Sequence, residues 1–176
     1  MWEEMTADFS FHWCRSAEKA RQLAALFAAN LSPEYISHSE LQGPRAASPT
    51  QWNPDIAATL EREFVERVDQ PLDAPANGQT TLVAYVEKNG ATVGTFLVTF
   101  SRAAVAPYAI LEDMMVAPAE RSHGAGAAFV EWISAESARR GVKRLFLESG
   151  LRNEHAHHFF ERIGFRKVSV VMMKEL

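Results

Sequence analysis

The stretch from Thr81 to Val116 constrains this chain most. Residues 81–87 are β-branched and apolar, Asn89-Gly90 follows, and residues 91–101 form a second run of the same character. Asn-Gly accepts the positive-φ conformations that a two-residue hairpin needs, so the two runs are predicted to be antiparallel neighbours. A third strand is expected over residues 109–116, carrying the acidic pair Glu112-Asp113. Pro118 stops it, because proline has no N–H to give to a ladder.

Helices are expected on either side of this meander. After a first strand at residues 9–15, residues 17–29 are rich in strong helix formers, with Ala20, Leu23, Ala24, Phe27 and Ala28 on one face. Residues 30–48 read as a loop with a short helix. Ser48-Pro49 reads as the approach to a second helical region, continued as an amphipathic helix over residues 56–68. Beyond Pro118 a helix is predicted over residues 125–140, with Gly141 as its C-cap. A strand at 144–148, a helix at 154–162 and a last strand at 165–174 complete the pattern. This order implies an α/β or α+β sandwich with a mixed sheet. A length of 176 residues suits a single domain spanning 1–176.

Several classes are set aside by composition. A formal charge of −4 argues against a general nucleic-acid binder, which needs a basic face for phosphates. Cys14 is the only cysteine, so no disulfide framework or thiolate metal cluster is expected. Glu3, Glu4 and Asp8 stand where a secretory signal carries positive charge, and no segment reaches the roughly 18 apolar residues of a spanning helix. A cytoplasmic protein with no membrane partner is the expectation.

Chemistry enters at Val116-Ala117-Pro118-Ala119-Glu120-Arg121-Ser122-His123-Gly124-Ala125-Gly126, between a strand and a helix. A helix start leaves backbone N–H groups without intrahelical partners and carries partial positive charge, which suits phosphate oxygens. Gly124 and Gly126 let the backbone approach an anion closely, and Arg121 adds a charge-assisted donor. Taken alone, R-x-x-G-x-G is also a plain connector. It matches neither the Walker loop nor the three-glycine dinucleotide fingerprint.

A second segment, Asn153-Glu154-His155-Ala156-His157-His158-Phe159-Phe160-Glu161-Arg162-Ile163-Gly164-Phe165, follows one helix and one strand later. Together the two resemble the GNAT superfamily of acetyl-CoA-dependent N-acetyltransferases. The first is similar to its V-x-P-x-x-R-x-x-G-x-G loop at Val116, Pro118, Arg121, Gly124 and Gly126; the second is similar to its N-x-x-A-x-x-F-Y-x-x-x-G-F segment at Asn153, Ala156, Phe159, Gly164 and Phe165. The resemblance implies a mostly antiparallel GNAT-like sheet flanked by helices, with acetyl-CoA as co-substrate and no metal. It implies Met115 and Val116 along the pantetheine, and Arg121, Ser122, His123, Gly124, Ala125 and Gly126 at the pyrophosphate. Asn153 and Phe160 complete the implied cofactor set.

The implied activity is transfer of an acetyl group to a primary amine of a small molecule or peptide. The amine must lose a proton and the oxyanion needs a donor, for which the resemblance implies a backbone N–H near Val116. Glu112 is the candidate base; a solvated or ion-paired carboxylate is the other reading of Glu112 and of Asp113 alike. Phe160 departs from the family, many of whose members carry there a tyrosine placed to protonate the leaving thiolate. An acyl-CoA-binding sensor or inactive relative is therefore the alternative. His155, His157 and His158 read better as a solvated helix face than as metal ligands. In the family the acceptor cleft is shaped by the segment between the first two helices and by the sheet opposite the cofactor. The resemblance implies residues 30–52 here, with Tyr35, His38, Glu40 and Trp52 as candidate liners, each equally explicable as packing or surface. A homodimer is the assembly considered.

Overall fold

A computed structural model describes residues 9–176, so Glu3, Glu4 and Asp8 lie outside the described residues. In chain order the elements are β1 (Phe9–Trp13), α1 (Ala17–Ala28), a 3-10 turn (Pro33–Tyr35), α2 (His38–Gln42), β2 (Ala46–Ser48), β3 (Gln51–Trp52), α3 (Ile56–Glu66), β4 (Gln79–Lys88), β5 (Ala91–Ser101) and β6 (Tyr108–Val116). A second 3-10 turn (Pro118–Glu120) precedes α4 (Ala125–Arg139), β7 (Leu145–Leu147) and α5 (Glu154–Arg162). They group into two compact units: the chain up to Asn30 with Ala57–Glu148, and Leu31–Ile56 with Ser149–Leu176.

The first unit is built on a five-stranded sheet of order β1-β4-β5-β6-β7. All pairings are antiparallel except β6 with β7, which run parallel. Asn89 and Gly90 both take positive φ, 53° and 78°, as a tight hairpin between β4 and β5 demands. Parallel strands need a crossover, and α4 provides it between β6 and β7.

From Val93 to Ser101 every residue of β5 is buried. One face carries Phe96, Val98 and Phe100. Phe96 stacks on Phe129 of α4 with ring centroids 3.4 Å apart and planes within 4°. Phe11 of β1 meets Phe129 and Trp132 at 6.0 and 5.5 Å. Elsewhere in this unit α1 and α3 meet through Phe27 and Phe64, 6.0 Å apart. The Ser16 hydroxyl caps α1 by accepting from the Lys19 N–H at 3.4 Å. One carboxylate is buried on α4. Burial pushes the Glu136 carboxyl up, but hydrogen bonds from Arg140, 2.7 Å away, and from Arg139 bring it below the ordinary value. The Arg140 guanidinium also covers the Phe100 ring at 4.5 Å. Cys14, next to β1, is buried, and burial pushes its thiol up, away from reactive thiolate character.

Two sequence expectations are corrected. Ser48-Pro49 does not lead into a helix: Pro49 and Thr50 turn between β2 and β3, a small antiparallel pair. The pair is closed by the Asn53 side chain donating to the Pro44 carbonyl at 2.5 Å and the Asn53 N–H to Arg45 at 2.9 Å. Proline sets φ for a turn as readily as for a helix start, and here the turn wins. Residues 165–174 are not a strand. A strand exists only where a neighbour completes its ladder, and within the second unit no strand lies beside this segment.

Removing the Phe96 partner tests how far the first unit depends on this stack. Phe129→Ala is expected to cost about 3–5 kcal/mol, the usual range for a fully buried aromatic, read as a lower midpoint in denaturant unfolding.

Candidate functional site

β6 has a partner on both sides for only part of its length. Ala109, Ile110 and Leu111 pair with Leu145, Phe146 and Leu147, and β7 then ends. β6 continues to Val116 alongside β5, and among the described residues no strand pairs with the other edge of its last residues. At this divergence lies a bulge: Leu97 pairs with Asp113 and Val98 with Leu111, leaving Glu112 as the extra residue. Simple alternation places Glu112 and Asp113 on opposite faces. Burial keeps that alternation through the bulge: Glu112 is exposed and Asp113 half-buried. Met115 is buried and Val116 half-buried.

Gly94, opposite Val116 on β5, permits this geometry. A Cβ there would lie 2.8 Å from the Met115 carbonyl oxygen and 3.0 Å from Val86 Cγ1. Sequence reasoning missed it, although a glycine inside a strand pattern is a recognised sign of close backbone approach.

After Val116 the backbone enters the 3-10 turn and then Arg121–Gly124. Ser122 and Gly124 both have positive φ, 67° and 89°. The N–H groups of Arg121 and His123 close on Pro118 and Glu120 at 3.3 and 3.4 Å, so they are spent inside the turn. Those of Ser122 and Gly124 make no such turn bond. Gly124 is the N-cap of α4 and has no side chain to satisfy the first helical N–H groups. Arg121 is exposed, and its Nε donates to the Val116 carbonyl at 3.1 Å, tying the guanidinium to the end of β6. Ser122, His123 and Gly124 are exposed, Ala125 is buried and Gly126 half-buried. Backbone donors not spent on the turn's own bonds, a positive helix end and a guanidinium thus lie at one turn, a donor set that fits a pyrophosphate.

The remaining candidates lie in the second unit. Asn153 caps α5 through its carbonyl, which accepts from His157 at 3.1 Å. Phe160 is buried against Phe159 and Phe165, with centroids 5.1 and 5.5 Å away. Gly150 approaches the Glu34 and Ile36 carbonyls so closely that a Cβ would collide with both. Arg152 donates to the Pro33 and Pro49 carbonyls at 3.1 and 2.9 Å. Glu40 is buried and accepts from the Ser37 N–H and hydroxyl at 2.8 and 2.7 Å, with Arg45 at 4.0 Å. Its carboxylate therefore serves the capping of α2. The indole N–H of Trp52 is buried without a hydrogen-bond partner. Among the described residues no group of three or more His, Cys, Asp or Glu is arranged to hold a metal ion.

The model of the Acetyltransferase (GNAT) family matches residues 47–165, and the chain belongs to that family. No curated protein matches the sequence significantly. Among solved structures, the fold is similar to the aminoglycoside acetyltransferase meta-AAC0020 from an uncultured soil metagenomic sample, at 15% identity and TM-score 0.65, covering 98% of this chain and 99% of that one. It is also similar to ribosomal-protein-alanine N-acetyltransferase from Brucella melitensis biovar Abortus 2308, at 12% identity and TM-score 0.62, covering 96% and 99%. A third is aminoglycoside N-acetyltransferase AAC(6′)-Iy in complex with CoA, at 11% identity and TM-score 0.64, covering 98% of each chain. The mixed, mostly antiparallel architecture is thus that of the GNAT fold.

Gly94→Ala is expected to force β5 and β6 apart at Met115, costing about 1–3 kcal/mol as overpacking does. Denaturant unfolding of the variant against the parent measures it.

Proposed function

We propose that this protein is an N-acetyltransferase that moves an acetyl group from acetyl-CoA directly to a primary amine of a small molecule or peptide. The observation that carries this reading is the passage of β6 from its open edge at Met114–Val116 into the glycine turn at the start of α4. An extended amide-bearing chain fits beside an unpaired strand edge, and a pyrophosphate fits the turn that follows. Bound acetyl-CoA supplies an activated thioester; the protein's part is to hold it and manage protons. Met115 and Val116 align the pantetheine through main-chain groups. Arg121, Ser122, His123, Gly124, Ala125 and Gly126 hold the pyrophosphate, and the family resemblance assigns Asn153 and Phe160 to the same cofactor. No residue in this set calls for a metal.

Glu112 is the assigned base. As the bulged residue of β6 it stands exposed where the strands part, able to take a proton from an incoming ammonium directly or through water. An amine acceptor accords with the aminoglycoside and ribosomal-protein-alanine enzymes among the similar structures. The whole chain, 1–176, is read as one acetyltransferase domain, since these structures match it nearly end to end.

Phe160 favours a second reading, an acyl-CoA-binding sensor or inactive relative. Its ring packs between Phe159 and Phe165 and has no hydroxyl to protonate a thiolate.

Calorimetry with acetyl-CoA and thiol release with an amine panel separate the two. Binding together with amine-dependent thiol release is the expected result; tight binding with no release from any amine points to the sensor. Arg121→Ala is expected to weaken acetyl-CoA binding about tenfold, the scale of one charge-assisted contact. Glu112→Gln is expected to lower kcat by about 10²–10⁴, leaving acetyl-CoA affinity within about twofold.

A further inference from the structure

A carboxylate stands at the mouth of the anion turn. Glu120 is the last residue of the 3-10 turn, directly before Arg121. An uncompensated negative charge there would oppose any phosphate held by the next six residues, because exposed charges within about a Debye length, ~8–10 Å, still interact. Lys88 answers it. It is the last residue of β4, beside the Asn89-Gly90 hairpin, and its Nζ donates to Glu120 Oε2 at 2.8 Å. Both side chains are about three-quarters covered, at 25% and 26% exposure, so solvent screens the pair only in part. His123 Nδ1 lies 3.9 Å from the same oxygen. The hydrogen bond from Lys88 also holds the Glu120 carboxyl below its ordinary value, so it stays ionised at neutral pH.

The pair joins segments 32 residues apart in sequence. It fixes the 3-10 turn to the end of β4, while the Ala117 N–H is fixed to the Val93 carbonyl of β5 at 2.8 Å. The turn is therefore anchored at both of its ends to the β4–β5 hairpin before the glycines begin.

We propose that Lys88 is a positioning residue that acts on the anion turn through Glu120, neutralising its carboxylate so that Arg121 to Gly126 can hold the cofactor pyrophosphate. The inference rests on the reading of this turn as the acetyl-CoA site. Lys88 touches neither the acetyl group nor the acceptor amine, so its effect falls on cofactor affinity and not on turnover.

The test is acetyl-CoA titration of the full chain by calorimetry, with circular dichroism to establish that each variant is folded. Wild type is expected to bind; failure of wild type to bind overturns the reading of the turn itself. If wild type binds, Lys88→Ala is expected to weaken acetyl-CoA by about 5–10-fold, with kcat at saturating acetyl-CoA unchanged. The loss is expected to shrink as salt rises from 50 to about 500 mM, because screening hides the bared Glu120. Glu120→Gln in the Lys88→Ala background is expected to recover affinity to within about twofold of wild type, and Lys88→Arg to retain it. Equal affinity of Lys88→Ala and wild type overturns the proposal. So does a loss that Glu120→Gln leaves untouched, since that pattern belongs to a purely structural lysine. Should Lys88→Ala misfold, Lys88→Gln with and without Glu120→Gln reads the same coupling.

Discussion

The burial of β5 on both faces is the constraint on which the first unit depends. From Val93 to Ser101 all of its residues are buried, so each polar group on it must find a partner inside. The Thr95 hydroxyl donates to the Ala84 carbonyl at 3.1 Å, and Thr99 shares a hydrogen bond with Thr81 at 2.8 Å. A strand so enclosed cannot shift register without sending every side chain to the wrong face. β6 is laid against this fixed template, and Gly94 lets it lie close. The parting of β6 from β7 is then a matter of length: β7 has three residues and β6 has nine.

Much of this was legible in the sequence where a single residue type settles a local geometry. The hairpin at Asn89-Gly90 and the bounds of β5 and α5 coincide with what the pattern predicts. The turn before α4 was legible for the same reason, because glycine and proline punctuate the chain whatever surrounds them. What escaped depends on partners distant in sequence. The β2–β3 pair is too short to display alternation, and Pro49 suits a helix start as well as a turn. Residues 165–174 have the composition of a strand, but a ladder needs a neighbour that composition does not specify. The bulge at Glu112 arises from register against β5, so the residue pattern of β6 alone does not display it. The contact of Lys88 with Glu120 is likewise made by the fold, across 32 residues of chain.

Phe160 shows how fold and chemistry separate at one position. Its ring fills the space between Phe159 and Phe165, and packing there asks only for an aromatic face. A hydroxyl is not needed to build α5 or its surroundings. The second unit thus keeps its aromatic cluster with no hydroxyl at this position. Family membership rests on sequence and fold, and neither requires a hydroxyl at this position.

β1 has one further consequence. Its residues pair with β4 across some seventy residues of chain, Phe9 with Lys88 and Trp13 with Ala84. On a ribosome β1 emerges before β4, which is polymerised several seconds later at about 5–20 residues per second. The β4–β5–β6 ribbon can zip from its own short connections, whereas β1 must wait for a long loop to close. Its apolar Phe11 and Trp13, both destined for Trp132 of α4, meanwhile remain uncovered. A strand made before its partner must wait for it, and that interval is when a chaperone has most to hold.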